Sequence, residues 1–226
     1  MSERLLKSVS DKTKIRWIIL FFLFIATTLL YLDRSALGIM APFLQDEIGW
    51  TEKQYGHINS AFMIGYALCF LIMGVIVDKI GTKAGYSISV GLWAVAQAAT
   101  ALAGSWIGFA LARLGLSVGQ SGNFPVANKV LAEWFPKKER AFATGLYNGG
   151  ANVGTLLSPL VIPLVVTASG NNWRAAFLWT LPISAIWITC WLIFFRKPEK
   201  HRKVNQKELE YINSDIAVES TEKIKW

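Results

Sequence analysis

The sequence predicts an all-α integral membrane protein with six transmembrane helices, and three observations support this prediction. Apolar stretches fill most of the 226 residues, and 53% of all residues are hydrophobic. Each stretch has about 20 residues, which is the length that crosses a bilayer as a helix. Away from their ends, these stretches contain only three charged side chains, Asp33, Arg34 and Arg113. The other basic residues concentrate in alternate connections, as they do in multi-pass membrane proteins.

The predicted spans follow one another through short polar connections, and the fourth and fifth are richer in Gly, Asn and Ser than the others. We predict spans at Trp17–Met40, Gly56–Val77, Ala84–Ala103, Trp106–Val130, Thr144–Ala168 and Ala175–Phe195. The chain therefore divides into a basic N-terminal arm (1–16), a six-helix bundle (17–195) and a polar tail or central linker (196–226). Within the tail, a short charged helix is predicted over Gln206–Asn213.

The basic residues also predict the orientation. Nineteen Lys and Arg residues flank the spans on one side of the predicted membrane and two flank them on the other. The positive-inside rule places both termini in the cytoplasm, and an even number of spans requires them to share one side. Because topology accounts for the net charge of +8, we do not expect nucleic-acid binding. Five tryptophans lie near span ends, where aromatic belts form: Trp17, Trp50, Trp106, Trp134 and Trp173.

Several other classes of protein are disfavoured. Basic residues before an apolar run also fit a signal peptide, but no small-residue cleavage site follows, so the first span is predicted to be retained. Cys69 and Cys190 both lie in apolar spans and are interpreted as free thiols. No Cys/His spacing predicts a metal, no cofactor motif is present, and no nucleophile–base arrangement indicates an enzyme.

The fourth span carries a polar stripe. Arg113, Ser117 and Gln120 share one helix face, Asn123 continues it, and Pro125 can kink the helix. A charge in the bilayer costs about 2.5–3.5 kcal/mol, so this face is expected to turn away from lipid. The planar fork of Arg113 suits a carboxylate. The alternative is a structural arginine that caps carbonyls or pairs with Asp33.

The first and fifth spans add further polar residues. Tyr31 and Arg34 share one side of the first span, whereas Asp33 points elsewhere and is a candidate proton carrier. A fixed Asp–Arg pair that holds helices together is the alternative. The fifth span repeats the stripe, and its amides and hydroxyls suit either a polyhydroxylated ligand or helix–helix hydrogen bonds. Its members are Thr144, Asn148, Asn152 and Thr155.

The connection between the second and third spans carries a recognisable motif. It reads Gly-Val-Ile-Val-Asp-Lys-Ile-Gly-Thr-Lys over residues 74–83. This resembles the G-x-x-x-D-[RK]-x-G-x-[RK] loop of the major facilitator superfamily. The resemblance implies a conformational latch built on a tight turn, with Asp78 capping a helix or pairing across the bundle. The latch residues are Gly74, Asp78, Lys79, Gly81 and Lys83.

Further motifs narrow the resemblance and extend it over nearly the whole chain. Tyr31–Arg34, Gly119–Pro125 and Ala132–Arg140 together are similar to the anion:cation symporter family, most of all its hexuronate and galactonate members. That implies a proton symporter for sugar-acid anions in the bacterial inner membrane. It also implies that Arg34 and Arg113 engage the carboxylate, that Tyr31 and Tyr66 line the cavity, and that Asp33 takes part in proton coupling.

Two departures from that family matter. Gln120 stands where many members have Glu, so one titratable station is lost. The family has twelve spans, and this chain resembles only the N-terminal six. Charged residues in the first and fourth spans suggest a 3+3 inverted repeat, a common transporter design. We therefore expect either half of a transporter that requires a C-terminal six-helix partner, or a split-gene structural subunit with no transport of its own.

Overall fold

The computed structural model describes residues 13–214, and its regular structure over that range is entirely helical. Residues 1–12 of the predicted arm and 215–226 of the predicted tail lie outside the described residues. The helices in chain order are α1 Ile15–Ile48, α2 Glu52–Ile80, α3 Thr82–Thr100, α4 Trp106–Ser121, α5 Asn123–Trp134, α6 Lys137–Ala168, α7 Ala175–Leu178 and α8 Thr180–Phe194. A 3₁₀ helix at Pro198–Lys200 and α9 at Gln206–Ile212 follow.

Two of the predicted spans are interrupted, each at a position set by a proline. In a regular helix, a proline ring clashes with the carbonyl four residues earlier and offers it no N–H. Pro125 places that conflict at Ser121, where α4 ends, and Pro182 places it at Leu178, where α7 ends. The kink expected from Pro125 is thus a break between two helices.

Helices occupy all six predicted segments, although they do not all reach the length and hydropathy of a typical span. Among residues 13–214, four do: Ile15–Ile48, Glu52–Ile80, Lys137–Ala168 and Ala175–Phe194. The predicted third and fourth spans correspond to α3 and to the shorter α4 and α5. The count of six membrane crossings therefore stays a prediction, whereas a multi-pass protein is supported by the four long apolar helices.

Helix packing brings α1 against α6, places α4 between α2 and α3, and sets α3 against α8. Small residues permit the closest approach. A Cβ at Gly150 would lie 2.6 Å from the Phe24 carbonyl oxygen, and one at Gly154 would lie 2.5 Å from that of Thr28. The Gly-x-x-x-Gly spacing over 150–154 thus marks the α1–α6 contact.

The buried interior has two apolar clusters separated by a polar layer. One cluster includes Trp93 and Trp191, and the other includes Trp50 and Phe109. Along α1, α3, α4 and α8, polar side chains stand between residues of one cluster and residues of the other. This polar layer consists of Asp33, Arg34, Gln97, Arg113, Thr180 and Ser184. It is the part of the bundle in which chemistry is possible.

The aromatic-belt prediction is wrong for three of the five tryptophans. Trp50, Trp134 and Trp173 are at most 4% exposed. They fill space between helix ends inside the bundle, where their large rings bury more apolar surface than they would at the membrane interface.

Candidate functional site

Arg34 lies at the centre of the polar layer, inside a ring of aromatic side chains. Its guanidinium carbon is 5.1 Å from the ring centroid of Tyr31, 5.0 Å from that of Phe62 and 4.9 Å from that of Tyr66. Such distances allow cation–π attraction. The Nη2 atom is buried and has no hydrogen-bond partner within residues 13–214. The arrangement holds the cation in place and leaves part of its fork available.

Gln120 fixes the orientation of that guanidinium. The Nε of Arg34 donates to the Gln120 side-chain oxygen at 3.2 Å, and the Gln120 amide nitrogen donates to the Leu30 carbonyl at 3.4 Å. A neutral amide at this position orients Arg34 without neutralising its charge. Four residues predicted from the sequence, Tyr31, Arg34, Tyr66 and Gln120, therefore lie together.

Arg113 of α4 lies next to the backbone of Arg34 and is almost completely enclosed. It is 3% exposed, and its Nη1 donates to the backbone carbonyl of Arg34 at 3.5 Å. Its Nε and Nη2 are buried without hydrogen-bond partners in the described part of the chain. A structural arginine would be expected to use these donors, because unpaired buried donors are costly. Of the three guanidinium nitrogens of Arg113, only Nη1 caps a backbone carbonyl, so the structural alternative accounts for only part of this side chain.

Asp33 is the acidic member of the layer and points away from the aromatic ring of side chains. It is 1% exposed, and its polar neighbours are Thr180 and Arg113. No hydrogen bond of 3.5 Å or shorter reaches the carboxylate oxygens in residues 13–214, although the Thr180 hydroxyl is close enough to interact with them. No ion pair within 4.0 Å joins Asp33 to an arginine in the same range. The alternative of a fixed Asp–Arg pair is therefore not realised in this conformation.

The stripe of the fifth span stands apart from the arginines. Asn148 and Asn152 are exposed on α6, and their side chains form no hydrogen bond with another residue in the described range 13–214. The hydroxyls of Thr144 and Thr155 donate to carbonyls of their own helix, at 2.8 Å and 2.9 Å. Within the described residues, the predicted helix–helix hydrogen bonds do not form, and the two amides face outward from this bundle.

Sequence reasoning missed Gln97, Thr180 and Ser184 of the polar layer, and it missed Phe62 beside that layer. It also continued the stripe of the fourth span to Asn123, which lies outside the layer. Phe62 completes the ring around Arg34, Gln97 donates to the Asp33 backbone carbonyl at 3.3 Å, and Thr180 neighbours the Asp33 side chain. The spacing of Phe62 four residues before Tyr66 was the one available signal. The Asn123 amide is fully used by Tyr86, Thr27 and Tyr147 and so is structural.

The latch motif forms the junction of α2 and α3. Gly81 adopts φ +83°, a left-handed conformation that favours glycine, and it allows α3 to begin at once. Asp78 forms an ion pair with Lys129 of α5 at 2.7 Å, so the predicted pairing across the bundle is present. Gly74 lies inside α2, which corrects its predicted place in the turn. Lys79 and Lys83 form no ion pair with a described residue.

Glu133 is an additional acidic residue beside this junction. It accepts a hydrogen bond from the Thr82 hydroxyl at 3.2 Å. Burial raises the pKa of the Glu133 carboxyl, and Lys197, Thr82 and Lys129 counteract part of that rise. Within residues 13–214, no group of three or more His, Cys, Asp or Glu side chains could hold a metal ion.

Comparison with known proteins identifies relatives of this architecture. The family profile described as Major Facilitator Superfamily matches residues 23–223. A galacturonate transporter of Dickeya chrysanthemi is 39% identical over 88% of this chain and 57% of its own length. A hexuronate transporter of Escherichia coli (strain K12) is 37% identical over 88% of this chain and 45% of its own length. The chain thus spans about half the length of the curated relatives it matches.

A solved structure agrees at the level of the fold. The crystallised proton:xylose symporter of this superfamily, bound to 6-bromo-6-deoxy-D-glucose, superposes with a TM-score of 0.75 at 14% identity. The superposition covers 92% of this chain and 52% of that chain. At such low identity the likeness concerns the fold alone.

Proposed function

Because the chain belongs to the Major Facilitator Superfamily, whose relatives reported above are transporters rather than enzymes, we propose that it is the N-terminal half of a secondary active transporter. The transporter imports a sugar-acid anion, a hexuronate or an aldonate, together with protons. The named substrates of the curated relatives support this class of anion. A C-terminal six-helix half completes the cavity.

The observation that carries this proposal is the pair of arginines in the polar layer. Arg34 and Arg113 both keep buried guanidinium nitrogens without protein partners, and no carboxylate within residues 13–214 pairs with either. A substrate carboxylate can accept two parallel hydrogen bonds from such a fork. Tyr31, Tyr66 and Gln120 surround Arg34, while Asn148 and Asn152 offer amides on the exposed face of α6 for sugar hydroxyls.

Asp33 is the proposed proton-coupling residue. It is the acidic side chain of the polar layer, it is 1% exposed, and no ion pair within residues 13–214 fixes its charge. Gln120 cannot titrate, so coupling in this half depends on Asp33. Arg113 neighbours Asp33 and would also bind the substrate carboxylate. Protonation of Asp33 and binding of the anion therefore both change the electrostatic environment of the same guanidinium.

The proposed setting is the bacterial inner membrane, with both termini cytoplasmic and with rocking of two halves around the site. In this setting the ion pair between Asp78 and Lys129 stabilises the cytoplasmic end of the bundle, where the latch residues Gly74, Lys79, Gly81 and Lys83 also lie. The loop charges of the sequence support this orientation.

The second candidate is the alternative stated from the sequence, a structural subunit with no transport of its own. Uptake of labelled glucuronate, galacturonate and galactonate into proteoliposomes distinguishes the two, with and without a proton gradient. The chain is reconstituted alone and together with a C-terminal six-helix half. We expect gradient-driven uptake of at least one sugar acid by the assembled pair. Absence of uptake of all three acids by that pair would contradict the transporter proposal.

A further inference from the structure

A recess of about 500 Å³ opens between the start of α3 and the end of α8, outside the polar layer. Four basic residues line it: Lys83 of α3, Arg196 and Lys197 just after α8, and Lys200 of the 3₁₀ helix. None of them forms an ion pair within 4.0 Å with a described residue. Glu133 is an acidic neighbour of Lys197, and Glu199 precedes Lys200 in the 3₁₀ helix, but neither of them lines the recess. The recess therefore carries a concentrated positive charge.

The same recess has an apolar side. Ile80 at the end of α2 and Leu192 near the end of α8 also line it, and they are 44% and 45% exposed. Apolar side chains that end where basic side chains begin are typical of the boundary between acyl chains and headgroups. A ligand that suits both sides is amphipathic and anionic.

The floor of the recess is a closely packed pair of aromatic rings. Phe195 is 1% exposed and stacks on Trp191 with 4.1 Å between ring centroids. The Trp191 indole nitrogen donates to the Lys83 backbone carbonyl at 3.2 Å, which ties the start of α3 to α8. These contacts hold the backbone of Lys83 and the aromatic residue just before Arg196 against α8, so part of the recess is preorganised, which lowers the cost of binding.

We propose that this recess binds the phosphate headgroup of an anionic phospholipid, with the acyl chains running along Ile80 and Leu192. Basic pockets between helices at the cytoplasmic surface suit anionic headgroups, because that leaflet is negatively charged. Basic residues that only determine the orientation in the membrane do not have to line a recess. The apolar wall and the stacked aromatic rings beneath it therefore favour a binding role. The inference goes beyond transport, and binding can be measured whether or not the chain transports anything.

Native mass spectrometry of the purified full chain tests the proposal, with phosphatidylglycerol or phosphatidylcholine titrated in separate samples. We expect one phosphatidylglycerol to be retained in preference to phosphatidylcholine. Lys83→Gln combined with Lys200→Gln should weaken phosphatidylglycerol binding about 30-fold, since each basic side chain near an anionic surface adds about fivefold. These two positions lie on different elements of the recess.

The matched control is Lys14→Gln combined with Lys138→Gln, which removes the same charge from exposed positions away from the recess. The control should keep normal binding. Equal losses in the two double variants would indicate diffuse attraction and overturn the proposal, as would equal retention of phosphatidylcholine. Competition by free inorganic phosphate at the lipid concentration would instead assign the recess to a soluble anion. If the double variant fails to fold, Lys200→Gln alone, outside the long helices, provides the same comparison with Lys138→Gln.

Discussion

Arg113 is positioned to donate hydrogen bonds to a ligand from within the bundle. The expected effect of replacing it follows from the shape of its side chain. Arg113→Lys keeps the charge but loses the planar fork that makes two parallel hydrogen bonds. We expect substrate affinity to fall at least about tenfold, because charge-assisted hydrogen bonds are worth about 1.5–3 kcal/mol each. The measurement is the concentration dependence of sugar-acid uptake by the assembled transporter. Arg174→Lys, in the connection before α7, is the control. Unchanged affinity in Arg113→Lys would make Arg113 structural.

A substitution at Asp33 should affect proton-driven accumulation of the substrate but not substrate binding. Asp33→Asn keeps the size of the side chain and removes its ability to carry a proton. We expect proton-driven accumulation to be abolished, while counterflow exchange of substrate continues, because exchange needs no net proton movement. Asp46→Asn, at an exposed position of α1, removes the same charge outside the polar layer and should behave as wild type. An Asp33→Asn protein that still concentrates substrate when driven by protons alone would refute this role.

The charged members of the polar layer could be predicted from the sequence because a charge inside an apolar stretch is rare and expensive. Asp33, Arg34 and Arg113 stood out for that reason. Phe62 and Thr180 could not be found in this way, since aromatic and hydroxyl side chains are common in membrane helices. Their roles depend on which helices are neighbours, and that is a property of the packing. Asn148 and Asn152 were chosen because of their helical spacing. Such spacing shows which residues share a face of the helix, but it does not show what that face contacts.

At the level of helices, the contact between α1 and α6 depends on Gly154. A Cβ there would lie 2.5 Å from the Thr28 carbonyl oxygen and 2.9 Å from the Tyr31 Cβ. Gly154→Ala should therefore push the two helices apart and destabilise the protein by about 1–3 kcal/mol, as overpacking does. Thermal unfolding of the purified protein in detergent measures the effect as a lower Tm.

The control for Gly154→Ala lies on the same helix. A Cβ at Gly145 would have nothing within 4 Å, so Gly145→Ala should leave Tm unchanged or raise it slightly. Equal Tm values for the two variants would show that α1 and α6 do not approach as closely as described. Because Tyr31 contacts the same spot, Gly154→Ala is also expected to weaken substrate binding.

The positions of the helices were well predicted by hydropathy, whereas their interruptions were only partly predicted. The sequence indicated a kink near Pro125, but it did not indicate the break near Pro182, and α6 continues through Pro159 and Pro163. Whether a proline kinks or breaks a membrane helix depends on how neighbouring helices, side chains and local backbone adjustments satisfy the freed carbonyl. That condition depends on tertiary contacts and is invisible in a local sequence window.

For the whole molecule, the pairing of helices supports the predicted 3+3 repeat. If the first and second spans correspond to the fourth and fifth, then packing of α1 on α6 requires packing of α2 on α4. Both contacts are present and extensive. The family profile over residues 23–223 identifies the superfamily, and this correspondence of helix contacts is the pattern that an inverted repeat predicts. The polar layer contains residues from both groups of three, as expected for a site at the repeat interface.

Helix α9 corresponds to the short charged helix predicted over Gln206–Asn213, but the sequence did not indicate that this helix packs back onto the bundle. Glu208 is fully buried, accepts hydrogen bonds from Thr13 and from the backbone of Arg16, and forms an ion pair with the Arg16 guanidinium at 3.3 Å. The Arg16 Nε also pairs with Glu139 of α6 at 3.2 Å. The pairing could not be derived from one sequence, because the partners are about 190 residues apart and each charge looks solvent-exposed by position.

Removal of the Glu208 carboxylate, which holds α9 against the start of α1, should release α9 from the bundle. Glu208→Ala leaves Arg16 with one acidic partner instead of two, and loss of one member of a buried pair costs about 3–5 kcal/mol. We expect trypsin to cleave after Lys203 or Lys207 at least about tenfold faster, because cleavage follows the population of the open segment. Glu210→Ala, on the exposed side of the same helix, should leave the rate unchanged. Equal rates in the two variants would mean that α9 is not anchored through Glu208.

The orientation of the whole molecule can be tested at two lysines on opposite predicted sides. Nineteen of the 23 Lys and Arg residues lie on the side that we assign to the cytoplasm, and Lys53 lies on the other. In a background without Cys69 and Cys190, a membrane-impermeant maleimide added to intact cells should label Lys53→Cys strongly and Lys137→Cys hardly at all. Permeabilised cells should label both, which controls for accessibility at position 137. Strong labelling of position 137 from outside would reverse the orientation. It would also place the lipid recess at the outer leaflet and the latch motif outside the cell, because both share the face of the bundle to which position 137 belongs.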